Sequence, residues 1–289
     1  MNELTGKTIL ITGATNGIGK VAALELAKMG GTVALVGRNP DKVKSTVLEI
    51  KAKSNNLQVE GLLADLSLMN DVRHLAEEFR QRYSHLDILI NDAGGIYGTR
   101  QVTGDGYERT FATNHLAYFA LTNRLLDMIQ ASAPSRIINV SSRAHESVEL
   151  DFNDLQNEKH YGVGGYRAYG ESKLENLLFT YELTRRLAGT GVTVNAVHPG
   201  TVATGFGENN NGAMGASMKV FHRFALTPEQ GADTIIYLAS SPDVEGISGK
   251  YWVNRKQEAS SPASYDEEAQ KRLWSISAQF TGITEAVHA

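Results

Sequence analysis

The 289-residue sequence predicts an α/β fold: a doubly wound parallel sheet of about seven strands, with helices on both faces. Three observations carry that expectation. Short apolar, β-rich runs alternate with helix-period segments. The runs are apolar at consecutive positions, as strands covered on both faces must be. The first run passes directly into a glycine-rich turn and then a helical segment.

The strands are expected, in order, at "KTILIT" (7–12), "TVALV" (32–36), "VEGLLA" (59–64), "LDILIN" (86–91), "RIINV" (136–140) and "VTVNAV" (192–197), with a short later run "KYWV" (250–253). Helix-period segments fall between them at about 17–29, 41–53, 70–83, 106–130, 166–188 and 228–239. The tail "SYDEEAQKRLWSISAQFTGI" reads as an amphipathic helix ending near Gly282. No linker rich in Pro, Gly or Ser interrupts the first 200 residues and no repeat is visible, so 1–289 reads as a single domain. At about 203–225 the rhythm breaks, and that Gly- and Asn-rich stretch suits either a substrate-covering lid or an ordinary surface loop.

Composition narrows the function. The apolar fraction is 42%, the charged fraction 21%, and the net charge −4, which gives no footing for nucleic acid or anionic membranes. The absence of cysteine excludes disulfides, thiolate metal sites and a cysteine nucleophile. No run of apolar residues is long enough to span a bilayer and no secretory leader is visible, so a soluble, cytoplasmic protein is expected.

The cofactor end is read from the first turn, "TGATNGIGK", which places Gly13, Gly17 and Gly19 between strand and helix. Glycines permit positive φ and close backbone approach there, and the helix that follows points free N–H groups at the turn. A pyrophosphate fits that place, which makes the sheet Rossmann-type. At the end of the second strand stand Gly37 and Arg38, with no carboxylate to hold a ribose 2′-hydroxyl. A guanidinium there suits a 2′-phosphate and is worth about 1.5–3 kcal/mol, so NADP(H) is the expected cofactor. Asn39 and Lys42 are weaker candidates beside it, and Asp65 could accept from the adenine amino group.

The chemical end is read from polar residues at strand ends and inside apolar helices. Ser141 and Ser142 follow "RIINV", and Asn114 interrupts the apolar helix "FATNHLAYFALT", where an amide is costly without partners. Tyr169 and Lys173, in "YGESK", are one helical turn apart and share a face.

Together these pieces resemble the short-chain dehydrogenase/reductases, in their single-domain branch. "TGATNGIGK", "ADLS", "NDAGG", "NHL", "INVSS", "YGESK" and "HPGTVAT" match in order from residue 7 to about 204. "GRNPDK", "NHLAYFALT" and "SGKYWVNRK" are most similar to the retinol dehydrogenase-like group. The resemblance implies hydride transfer between nicotinamide and an alcohol or carbonyl carbon of a small substrate. It implies Tyr169 as acid/base, Lys173 lowering its pKa and holding ribose hydroxyls, Ser142 on the substrate oxygen, and Asn114 holding a proton-relay water. It further implies cofactor contacts from Gly13, Thr15, Asn16, Gly17, Ile18, Gly19, Arg38, Asp65, Leu66, Asn91, Ala93, Gly94, Tyr169, Lys173, Pro199, Gly200, Val202 and Thr204, and no metal. Two departures stand out: Asp92 where the family has Asn, and Ala117-Tyr118 where relatives often have Gly-His. His115 and His198 read as structural. Tyr161, Tyr166 and Trp252 suggest a lipophilic pocket, and the apolar faces of "LTNRLLDMI" and "LENLLFTYEL" suggest a homodimer of the kind common in the family. The alternatives are a non-catalytic NADP(H)-binding regulator and, more remotely, a SAM-dependent methyltransferase, whose fold does not call for the Ser and Tyr-x-x-x-Lys set.

Overall fold

The computed structural model describes residues 3–202 and 226–284. Strand β1 (Thr8–Ile11) is completely buried at the middle of an eight-stranded sheet of order β3-β2-β1-β4-β5-β6-β7-β8. It pairs with β2 (Thr32–Gly37) and β4 (Ile88–Asn91), and β3 (Val59–Leu63), β5 (Ser135–Val140), β6 (Val192–His198) and β7 (Tyr251–Val253) extend the sheet outward, all parallel. Winding reverses between β1 and β4, and in such a sheet ligands bind beyond the carboxyl ends of the strands at that reversal.

Helices α1 (Gly17–Lys28), α2 (Pro40–Ser54) and α8 (Pro228–Ser240) cover one face through Ala22, Leu26, Val43, Ile50 and Ile235. The other face carries α3 (Met69–Arg82), α4 (Arg109–Phe111), α5 (Ala117–Arg124), α6 (Leu126–Ala131), α7 (Tyr166–Arg186) and α9 (Glu267–Thr281). There Val72, Phe79, Phe119, Phe179, Leu183 and Trp274 share one core cluster. Burying aliphatic and aromatic side chains on both faces is the main stabilising contribution.

Three expectations change. An eighth strand, β8 (Lys256–Glu258), closes the edge antiparallel to β7. Its "KQE" is wholly exposed, so it has no apolar pattern to reveal it. The single helix expected over 106–130 is broken. Residues 102–108 form a bridged turn, and Glu108 caps α4 by accepting from the Thr110 and Phe111 N–H groups at 2.8 and 2.7 Å. A π-helical turn then runs over Ala112–Leu116 before α5 resumes. Finally, the faces offered for a twin are covered within the chain. Trp274 of α9 packs against Phe119 and Phe179, with ring centroids 4.9 and 5.8 Å apart, and Leu121, Leu125 and Ile129 lie in the same cluster. The segment 203–225 lies outside the described residues.

Candidate active site

Helix α7 lays Tyr169, Lys173, Asn176 and Thr180 along one stripe by helical spacing, turned toward the ends of β4 and β5. β5 stops at Val140, whose carbonyl accepts from both Lys173 Nζ (3.1 Å) and Asn176 Nδ2 (3.2 Å). Ser141 and Ser142 come next and divide the work. Ser141 is buried and donates its hydroxyl to the Lys173 carbonyl at 2.8 Å, tying α7 to the sheet. Ser142 accepts from the Ala144 N–H at 3.3 Å, capping a short 3-10 turn, and hydrogen-bonds the Tyr169 side chain. Ser142, not Ser141, is therefore the serine presented to the phenol.

The electrostatics are those of charged groups taken out of water. Burial pushes the Tyr169 phenol up to about 12, against the hydrogen bond with Ser142. The Lys173 ammonium stands 5.5 Å from the centre of the Tyr169 ring and 5.8 Å from that of Tyr118. The phenol's shift is thus upward, opposite to the expected lowering, because burial outweighs its favourable contacts. Burial also brings Lys173 down to about 8, with Asp92 acting in the other direction.

Asn114 lies in the π-helical turn and is completely buried. Its Oδ1 accepts from Gly95 N–H at 2.9 Å, and its Nδ2 donates to Gly95 O and to Ser172 Oγ, both at 3.0 Å. The amide is thereby fully engaged, which removes the cost of placing it in an apolar helix. A widened turn at this position is the kind of local irregularity found at functional sites. Sequence periodicity does not reveal it, because the surrounding apolar pattern continues through it.

At the cofactor end, Gly13 has φ +71°, and a Cβ there would stand 2.8 Å from the Ala93 Cα. The turn therefore needs glycine. Asn16 precedes α1 without capping it through its side chain, and the first turn of α1 contains no acidic residue. The Gly19 N–H is engaged by Asp92, and the positive end of the helix with its remaining first-turn N–H groups suits a pyrophosphate. Thr15, Gly17 and Ile18 stand beside them, partly exposed. Arg38 is exposed just past β2, suited to a 2′-phosphate. Asp65 accepts from the Ser67 N–H and hydroxyl at 3.0 and 2.7 Å, with Leu66 buried behind it. Ala93, Gly94, Pro199, Gly200 and Val202 all lie at the same carboxyl edge, where the residues present fit a dinucleotide.

Several of the candidate side chains are engaged within the fold. Asn91 is wholly buried, and its Nδ2 donates to Asn139 Oδ1 (2.8 Å) and Thr122 Oγ1 (3.1 Å), which ties its side chain into the sheet. Asn39 accepts from the Lys42 N–H at 2.9 Å and so caps α2. Trp252 is core, with Nε1 donating to Asn195 Oδ1 at 3.3 Å. Tyr161 donates to the Tyr97 carbonyl at 2.9 Å, while Tyr166 is 54% exposed and lines a cavity of about 870 Å³ with Val163. His115 and His198 fit the structural roles expected of them: His115 pairs with Ser277 Oγ at 2.8 Å and burial lowers it to about 3, and burial lowers His198 to about 4. Thr204 lies outside the described residues. The sequence reading missed the buried amides Asn139 and Asn176 beneath the site. Their signal is Asn139 inside "RIINV" and Asn176 inside "LENLLF".

Glycine turn, serine and tyrosine–lysine pair at the switch point of a parallel sheet define a dinucleotide-dependent oxidoreductase fold. The chain belongs to the short-chain dehydrogenase family: a family profile described as short chain dehydrogenase matches residues 7–153, about half its length. It is 41% identical over 287 residues to retinol dehydrogenase 13 of Homo sapiens, covering 97% of this chain and 86% of that one. A crystal structure of an uncharacterized protein from Mycobacterium paratuberculosis superposes with a TM-score of 0.77 at 31% identity, covering 96% of this chain and 94% of the other. The Pseudomonas aeruginosa RhlG/NADP active-site complex gives a TM-score of 0.70 at 26% identity over 86% and 95% of the two chains. Within this family the chain is of the retinol dehydrogenase-like group and is an oxidoreductase of alcohol and carbonyl groups. Among the described residues, no helix is long and apolar enough to cross a membrane.

Proposed function

We propose that this single-domain protein is an NADP(H)-dependent oxidoreductase that interconverts an alcohol and a carbonyl on a small lipophilic substrate, with Tyr169 as the acid/base. The observation that carries the reading is the Tyr169 phenol hydrogen-bonded to Ser142, with Lys173 one turn further on and the glycine turn at the same sheet edge. The bound nicotinamide supplies or accepts the hydride. Tyr169 gives a proton to the substrate oxygen in reduction and takes it back in oxidation. Ser142 donates to the same oxygen and stabilises its developing charge. Lys173 holds ribose hydroxyls, and its positive charge stabilises the phenolate left when Tyr169 gives up its proton. Since the Asn114 side chain is engaged by Gly95 and Ser172, any relay water would be held by its main-chain carbonyl. Arg38 sets the preference for the 2′-phosphate. We also place the protein in the cytoplasm, and cell fractionation that recovers it with alkali-washed membranes would overturn that placement.

The test is nucleotide consumption against a panel of polyene aldehydes, aliphatic ketones, steroid ketones and quinones, with NADPH and NADH side by side. We expect turnover on at least one lipophilic carbonyl, with NADPH preferred. Tight NADPH binding with no turnover on any member of the panel would favour the non-catalytic regulator instead.

A further inference from the structure

We propose that Asp92 is a charge gate on nucleotide binding: ionised, its carboxylate opposes the anionic nucleotide at the first turn of α1, and protonated, it admits it. This rests on the nucleotide reading above and concerns a positioning residue, not a catalytic one.

The geometry places the carboxylate against the first turn of α1, at the helix end that suits a nucleotide's phosphates. Asp92 follows β4, and its N–H donates to Thr12 Oγ1 at 2.9 Å, which fixes it beside the end of β1. Its side chain accepts a hydrogen bond from the Gly19 N–H, inside the first turn of α1. Gly19 has no room for a side chain, because a Cβ would collide with the Asp92 carboxylate. The carboxylate thus occupies a donor at a helix end whose positive potential suits an anion. The groups acting on it or acted on by it are Lys173 and Tyr169 from α7, Tyr118 from α5 and the Gly19 N–H from α1, with Thr12 on its backbone. Lys173 brings one positive charge to this cluster, and Val140 O already holds its ammonium. An arriving pyrophosphate would meet the Asp92 negative charge at close range in a partly dry site.

Burial raises Asp92 to about 7, while Lys173 first and the Gly19 N–H second pull it down. Both protonation states are therefore populated near neutral pH. The sign follows by linkage. Nucleotide phosphates favour the protonated carboxyl, so binding raises its pKa further and takes up a proton. Affinity accordingly falls as pH rises through 7.

The experiment compares the protein with Asp92→Asn, an isosteric change that keeps an acceptor for the Gly19 N–H. The dissociation constant of NADPH is measured by fluorescence at pH 6 and pH 8, and proton uptake at pH 7 by calorimetry in two buffers of different ionisation enthalpy. Titration of the nucleotide itself cancels in the ratio of the two proteins. The two should bind alike at pH 6. At pH 8 the variant should bind about fivefold more tightly, the value for a one-unit rise in the Asp92 pKa on binding. Loss of the carboxylate also weakens Lys173's hold on its proton, which works against this gain and cannot produce it. Proton uptake should be smaller in the variant. A ratio that does not change with pH, or a variant that binds more weakly at pH 8, overturns the gate while leaving the nucleotide reading intact. Failure of both proteins to bind any nucleotide removes the two together.

Discussion

The two ends of the polar stripe on α7 treat their polar groups in opposite ways. At the lower end, Asn176 and Thr180 belong to a ladder that crosses the sheet. Asn91 and Asn139 are register partners on β4 and β5, and Asn91 donates to Asn139. Asn139 donates to Thr180 Oγ1 at 3.0 Å, and Thr180 donates to the Asn176 carbonyl at 2.7 Å. Each amide nitrogen ends on a protein acceptor, so the ladder is a structural brace between sheet and helix. At the upper end, Tyr169, Lys173 and neighbouring Asp92 all carry large pKa shifts caused by burial. The difference teaches where chemistry can sit on one helix. A group whose partners are all built into the fold cannot answer to a substrate, and one whose charge state is left unsettled can. The two ends meet at the Val140 carbonyl, which Lys173 and Asn176 share, so the brace also fixes the ammonium.

If that division is right, substitutions at the two ends should separate activity from stability. Tyr169→Phe should lower turnover by roughly two to four decades, the usual cost of losing a general acid/base. NADPH affinity should stay within a few fold and the melting temperature nearly unchanged, because the ring still packs. Retention of more than a tenth of the activity would remove Tyr169 from the mechanism. Lys173→Ala should damage turnover and nucleotide binding together and move the apparent tyrosine pKa in the rate profile upward. At the other end, Asn139→Ala leaves the Asn91 amide and the Thr180 hydroxyl short of a partner, at about 2–4 kcal/mol of stability. Turnover per folded molecule should change far less than in Tyr169→Phe. A denaturation midpoint equal to that of the parent would show the ladder to be ornamental.

The contrast also explains what could be read from the sequence. Tyr169, Lys173, Ser142 and the glycine turn are short-range patterns: a four-residue spacing, a strand end, a strand–turn–helix passage. The structure places each of them at one sheet edge. The brace is not short-range. Asn91, Asn139 and Thr180 are brought together only by strand register and helix packing, and each looks alone like an unexplained amide or hydroxyl in an apolar run. The π-helical turn at Asn114 and strand β8 escaped for a different reason: one keeps the apolar pattern of the helix around it, and the other is wholly exposed. The packing of Trp274 of α9 on Phe119 and Phe179 depends on where the chain's last helix folds back, which no local pattern specifies.

Arg38 offers a control remote from α7. It is exposed, joins neither end of the stripe, and is proposed to act on the 2′-phosphate alone. Arg38→Asp should lower the preference for NADPH over NADH by about one to two decades, the equivalent of one charge-assisted hydrogen bond. Stability and the NADH-supported rate at saturation should not move. Fluorescence titration with both nucleotides checks it, and equal affinities in the unmodified protein would defeat the assignment.

The smallest effect probes whether the brace is one network or a set of independent bonds. Thr180→Val keeps the shape and removes the hydroxyl that accepts from Asn139 and donates to the Asn176 carbonyl. The Asn139 Nδ2 is then unpaired in a site with no exposure, at about 1–3 kcal/mol. In Asn139→Ala that donor is already gone, so adding Thr180→Val should cost less than it does alone. The coupling energy from the double-mutant cycle should be about 0.5–3 kcal/mol, the range for residues in one hydrogen-bond network. Strictly additive unfolding free energies would mean that the two bonds act separately. The polar stripe would then divide at each residue, instead of at the Val140 carbonyl where brace and site now meet.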